Sequence, residues 1–485
     1  MTTSRGWMAL CVAAYVAVAL WLGIGAGGFI MIDQGDYTRT VKRMVVAPID
    51  PLDLPHSRPV SQRWTLAPFD EWKLRLYRGS ATSTIALAAL PARLGSGVFD
   101  TRHMAFAYSL VVAIGLLLIA RRLGASSHDA RSWGSGRGAP AVAVAAVAGA
   151  IFGLPLLLAA HNAALLGSFY PEIAFVIALP FVVAAMLMPA SRGAHMLLFA
   201  ATAMAAMSKA PFFYLPLLVA GGLWWSERHR AAAAAAPPSS NRRGAWIALA
   251  AAQLLALVVL ARGEFKAMNA HHATFLGSDY GLAPAQLEAA GLPSAYHHCV
   301  GVDFWGNHVA THDATAAGPT PEGCSDLPER TMRQALGRWL RAPQDFLALG
   351  WQSLPLHSRS DYFHITTTAP YRHRVGGDAA TDLLEATSQA RDRLLRGLGL
   401  PIVALAMLAA ALAPIGRTLR HARAPIAVLS AFAISQVAVS LLGEGVRDLG
   451  KHLAAGQYAI DMALAMLIVV GFVAATRAMR PGSAA

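Results

Sequence analysis

The chain has 485 residues, 55% of them hydrophobic and only 14% charged, with a formal net charge of +13 and a mean hydropathy of +0.45. Those proportions exclude an ordinary soluble enzyme and describe a polytopic membrane protein. The basic excess does not indicate a nucleic-acid partner, because the arginines lie in short connections between apolar segments, where they act as orientation signals.

Runs near 20 apolar residues predict an all-α chain of about ten transmembrane helices, at 7–32, 103–120, 139–160, 171–188, 195–209, 211–225, 244–262, 396–414, 424–442 and 455–476. The first run is longer than a signal-peptide core and lacks an A-x-A site, so it reads as an uncleaved helix. The fifth and sixth meet at Ser208-Lys209-Ala210-Pro211, and reading them as one kinked segment would invert everything downstream. Charge decides for two helices. With ten spans and both termini cytoplasmic, the inner connections collect Arg121, Arg122, Arg192, Arg228, Arg417 and Arg420 against two acids, Asp129 and Glu227, the asymmetry expected of a multi-pass membrane protein. Two outer regions are then too long for turns and are expected to be structured periplasmic loops. One is 33–102, inside an N-terminal unit 1–262; the other is 263–395, ahead of the C-terminal helices in 396–485. Thr82 to Val98, interrupted by Pro91, suits helices lying in the membrane interface. Ala231 to Asn241 is a low-complexity linker. No internal repeat is visible, which counts against a secondary transporter.

The first span is followed by Asp33-Gln34-Gly35-Asp36-Tyr37-Thr38-Arg39. Spacing of three puts the carboxylates of Asp33 and Asp36 on one side of a continuing helix, or in one turn around Gly35. Alone, the pattern reads more readily as a solvated helix end. A second polar group, Gly443 to His452, falls on the same face in this topology. There Arg447, Lys451 and His452 bring cationic donors to the start of the last span, where a lipid phosphate would be held. Lys209, at the outer turn between spans five and six, is a further phosphate donor, with snorkelling as the plainer alternative. Glu172, beside Phe169 and Tyr170, is placed to orient a sugar hydroxyl or to pair with one of the cations. Asp461 lies inside the last span, where an ionisable group calls for a buried cation as partner.

The region 263–395 holds nine of the 17 histidines. None falls in a zinc-type spacing, and most read as surface residues. His357, Arg359 and Asp361 form a stretch rich in hydrogen-bonding groups that suits an acceptor groove. Cys299 and Cys324 share this region, and a disulfide between them fits an oxidising compartment. There is no Walker A sequence and no strand-linked G-x-G-x-x-G, so nucleotide energy is not expected and the energy must arrive with the substrate.

An acidic motif after the first span, a large outer loop between later spans and many helices resemble the GT-C superfamily of membrane glycosyltransferases. Asp33 to Arg39, Gly167-Ser168-Phe169-Tyr170-Pro171-Glu172 and Gly443 through Asp461 resemble, within it, the bacterial hexose transferases of glycan biosynthesis called the WsfD type. The resemblance implies a polyprenyl-phosphate-linked sugar donor, a cell-envelope glycan or lipid-linked acceptor, and transfer at the periplasmic face. It makes Asp36 the general base, with Asp33 as the other candidate, and Arg39, Lys209, Arg447, Lys451 and His452 the groups that meet the departing phosphate. A divalent ion between the acids is compatible with this chemistry but not required by it. The competing reading is a flippase or transporter of lipid-linked glycans.

Overall fold

Without water to satisfy its backbone, an apolar segment must close its own hydrogen bonds, and each of the ten expected spans is helical over most of its length. The structure, a computed structural model, describes residues 2–31, 40–41, 44–52, 60–68, 72, 80–125, 139–234, 243–261, 266–304, 324, 331–354, 372–395, 398–413, 420–447 and 449–479. Among these, Gly6–Ala26, Thr101–Ala125, Arg423–Glu444 and Ala454–Thr476 are long and apolar enough to cross a membrane singly, and two bent helix pairs raise the number to six. The chain is thus mostly helical and multi-pass. Other expected spans, such as Glu172–Leu187 with its 16 residues, reach only about 24 Å at 1.5 Å per residue, short of a ~30 Å hydrocarbon core.

In chain order, α1 (Thr2–Ala26) leads to β1 (Phe29–Met31), β2 (Val45–Ile49), β3 (Arg63–Leu66), α2 (Ser80–Leu94), β4 (Val98–Asp100) and α3 (Thr101–Ala125). Next come α4 (Ala139–Ala148), continued by a π-turn at Gly149–Gly153, then α5 (Ala160–Leu166), α6 (Glu172–Leu187), α7 (Arg192–Ala206), α8 (Leu215–Ala234) and α9 (Arg243–Ala261). The remainder comprises α10 (Lys266–Ala273), α11 (Pro284–Ala289), α12 (Met332–Arg341), α13 (Pro343–Gln352), β5 (Arg372–Arg374), α14 (Ala379–Leu395), α15 (Gly399–Leu412), α16 (Arg423–Glu444), α17 (Leu449–His452) and α18 (Ala454–Ala478).

Several sequence expectations are corrected. The chain is not all-α: β2, β3 and β4 form an antiparallel sheet, and β1 pairs antiparallel with β5. In β3, Trp64 and Leu66 are buried while Arg63 and Thr65 are exposed, the period-two pattern of a half-covered strand. The first helix ends at Ala26 rather than 32, where glycines allow α1 to touch the start of α14. A Cβ on Gly25 would lie 2.7 Å from the carbonyl carbon of Ala380, and one on Gly28 would lie 2.6 Å from Thr381 Oγ1. The segment 139–160 is not one straight span, since its helices turn by 74° before α5. Nor is 263–395 wholly a loop: α14 packs along α1 and buries Ala380, Leu384, Ser388, Arg391 and Leu395, a helical stripe at spacings of three and four. Helices α7 and α8 are separate, joined through a tight turn at Ala210–Phe212.

Candidate functional site

The turn before α6 is set by Ser168, whose hydroxyl donates to Leu165 O at 2.7 Å and accepts from Tyr170 N at 3.2 Å. This delivers Tyr170 and Glu172, both buried, to one end of the helical core. From the α7–α8 turn, Lys209 Nζ donates to Glu172 Oε1 at 2.7 Å and lies 3.2 Å from His452 Nδ1. A lysine only donates, so Nδ1 accepts and the imidazole proton sits on Nε2, 2.9 Å from Glu444 Oε2. On the far side, His272 Nε2 accepts from Phe304 N at 3.1 Å, turning Nδ1 toward Glu444 Oε2 at 3.8 Å. Lys451 Nζ stands 5.0 Å from the centre of the Tyr170 ring, within cation–π range. Side chains from five elements therefore form one polar chain, Glu172, Lys209, His452, Glu444 and His272, with Lys451 alongside. Lys209 is held by a carboxylate and Lys451 stands over an aromatic ring, and Glu172 Oε2 is buried without a hydrogen-bond partner among the described residues.

Arg447 is 3% exposed and pairs with Asp303 at 3.1 Å, which joins the α16–α17 turn to the segment after α10. Beside it, Gly445 adopts φ 61°, and a Cβ there would overlap the carbonyl of Leu276. Gly445→Ala is expected to combine backbone strain with that clash and to lower the thermal midpoint of the detergent-solubilised protein by several degrees. An unchanged midpoint would contradict the close approach.

The segment carrying Asp303 and Phe304 is fastened three ways. His271 Nε2 donates to Val302 O at 2.9 Å, burial having pushed the imidazole below its ordinary pKa; Phe304 bonds His272; and Cys299 is disulfide-bonded to Cys324. That bond withdraws both sulfurs from metal binding although His298 Nε2 lies 3.6 Å from Cys299 Sγ. Closing a loop with a sequence separation of 25 contributes about 3–4 kcal/mol by chain entropy. Cys299→Ser/Cys324→Ser should therefore shift the unfolding midpoint downward, measured against wild type without reductant.

A second polar group lies deep among the helices. Asp461 is fully buried; its Oδ1 accepts from Arg391 Nε at 2.6 Å, and its Oδ2 from Asn162 Nδ2 at 3.1 Å, with His161 Nε2 also at 3.1 Å. His161 Nδ1 meets Ser388 Oγ at 2.8 Å. The buried cation required by Asp461 is Arg391, on a helix that the hydropathy of the sequence leaves outside the membrane.

Of the residues singled out from the sequence, Glu172, Lys209 and His452 meet, and Lys451 stands beside them over the Tyr170 ring. Asp33, Asp36, Arg39, His357, Arg359 and Asp361 lie outside the described residues. The flanks of the Asp33–Arg39 segment are anchored beside the same turn: Thr40 Oγ1 donates to Phe169 O at 2.7 Å, and β1 packs on α5. Trp64 and Phe99 of the small sheet cover Phe169 from outside, with ring centres at 5.2 and 6.2 Å. Sequence reasoning missed Glu444 as the hub and read most histidines of 263–395 as surface residues, whereas His272 is fully buried; its position beside His271, one turn before a glycine-bearing segment, carries no periodic signal.

No family model matches the chain, and no solved structure does. Over 205 residues, 42% of this chain, it is 26% identical to the "Uncharacterized protein YfdI" of Escherichia coli (strain K12). The match covers 44% of that relative, so the likeness spans less than half of either protein.

Proposed function

We propose that the protein is a polyprenyl-phosphate-dependent glycosyltransferase of the GT-C kind, moving a sugar to a cell-envelope glycan or lipid-linked acceptor at the periplasmic face of a bacterial inner membrane. Ten spans, two periplasmic loops and cytoplasmic termini belong to this reading. The observation that carries it is the meeting of Glu172, Lys209 and His452, with Lys451 alongside, at one end of the core, beside the anchored flanks of the Asp33–Arg39 segment. The Cys299–Cys324 bond supports an oxidising side for the same end.

In the reaction, the acceptor hydroxyl oxygen attacks the anomeric carbon as its proton passes to a carboxylate oxygen of Asp36. The bond from that carbon to the phosphate oxygen breaks, and the phosphate leaves with the electron pair. Lys209 and Lys451 meet the charge that develops, while Glu172 Oε2 accepts from a sugar hydroxyl. Such a displacement inverts the anomeric centre and needs one base only. The test is transfer from a radiolabelled polyprenyl-phosphate hexose to an envelope glycan extract by purified wild type and Asp36→Ala. A loss of about 10²- to 10⁴-fold in the variant is expected; equal rates would remove Asp36 from the role.

The bent helix pairs and the buried Asp461–Arg391 pair favour the flippase as the second reading, since ionisable groups on broken helices line transport paths. Against it, Asp461 is fully buried and both its oxygens are engaged by protein groups. Absence of transfer by wild type, together with Asp461-dependent movement of lipid-linked sugar across liposomes, would decide for the flippase.

A further inference from the structure

Helices α12 and α13 form a pair with two unlike faces. Leu336 and Leu340 are four residues apart on α12, and Leu347 and Trp351 four apart on α13, so each couple lies on one face of its helix. All four are exposed, Leu340 to 84% and Leu347 and Trp351 to 70% each. The other side is polar: Gln334, Arg338 and Arg341 line a cavity of ≈ 430 Å³ with Thr274, Ser278 and Asp279. Four large apolar side chains exposed on one helix pair call for a partner.

Position within the fold says which partner. Gly350 faces Leu441, whose Cδ1 lies 3.6 Å from where a Cβ would stand, and Leu441 is one turn from Glu444, the end of the span α16. The pair is therefore held at the level where that span leaves the apolar layer. Leu354, just past α13, packs on Gly399 at the start of α15. From there the exposed apolar surface continues through Leu398, Ile402, Leu405 and Leu412. Arg333, exposed, flanks the Leu336–Leu340 stripe on α12, and tryptophan and arginine are both residue types that settle at the headgroup level of bilayers.

We propose that the α12–α13 pair is seated in the membrane interface, with Leu336, Leu340, Leu347 and Trp351 in the upper acyl region and Arg333 among anionic headgroups. The polar face is left to water and to whatever enters the adjoining cavity. The inference does not depend on the glycosyltransferase reading.

The test uses the full chain with Cys11→Ser and the native disulfide intact, carrying Leu340→Cys, Leu347→Cys or, as a water-facing reference across the cavity, Gln286→Cys. Each is labelled with an environment-sensitive fluorophore in nanodiscs of phosphatidylethanolamine and phosphatidylglycerol. Labels at 340 and 347 are expected to be blue-shifted, to lose most of their emission to lipids brominated high on the acyl chain and to resist iodide, with the reverse at 286. Iodide quenching at 340 and 347 equal to that at 286 would overturn the proposal. Protection from both quenchers would also overturn it, in favour of a protein surface, and the two positions report independently should one variant fail to fold.

Discussion

Lys209→Met is expected to lower the turnover of the proposed sugar transfer by about 10²- to 10³-fold, the usual effect of deleting one preorganised group that meets transition-state charge. Lys209 is the central link, bonded to Glu172 on one side and facing His452 on the other, with a side chain 13% exposed. Its removal also strands the buried Glu172, so the single variant mixes catalysis with stability. Lys209→Met/Glu172→Gln isolates the stability part: without a stranded charge the fold should recover, while turnover stays low because the lysine and a proposed sugar contact are both lost. Turnover and KM in nanodiscs, measured beside the thermal midpoint, read both. Wild-type turnover in the double variant would mean that the lysine serves the fold alone.

The largest effect on stability is expected at Arg391. Arg391→Met leaves Asp461 charged and fully buried, a change that typically destabilises by about 3–5 kcal/mol. Replacing both partners with apolar residues, Arg391→Met/Asp461→Leu, should return most of that loss, because two desolvated charges are removed together. Unfolding in graded denaturing detergent would measure the series. If the double variant were as unstable as the two single losses added, the remaining partners Asn162, His161 and Ser388 would carry the network by themselves. The pair ties α14 to α18, and β5, just before α14 in the chain, pairs with β1.

The helices and the charged end of the core were legible because both leave one-dimensional traces. Hydropathy marks Thr101–Ala125 and Ala454–Thr476 without ambiguity, and a lysine or acid at the edge of an apolar run, as with Lys209 and Glu172, stands out against its neighbours. What was not legible depends on pairings between distant residues. The strands β1 and β5 have three residues each, and neither has a recognisable pattern without the other. Arg391 lies in a polar, amphipathic helix that reads as a loop until Asp461 is seen opposite it. The burial of His272 is illegible for the same reason: its partners Glu444 and Phe304 are 172 and 32 residues away.

The pairing of Met31 with Arg372 also constrains how the chain is made. At synthesis rates of about 5–20 residues per second, roughly 20–70 s separate the emergence of the two strands. Throughout that interval the first helix is in the membrane with its trailing edge unmatched, an open strand of the kind that attracts wrong partners. Completion of the N-terminal half is therefore a late event, set by arrival of the C-terminal half. Two fragments divided within 235–242, expressed together, would have to find each other before either could finish, and neither alone would acquire the site.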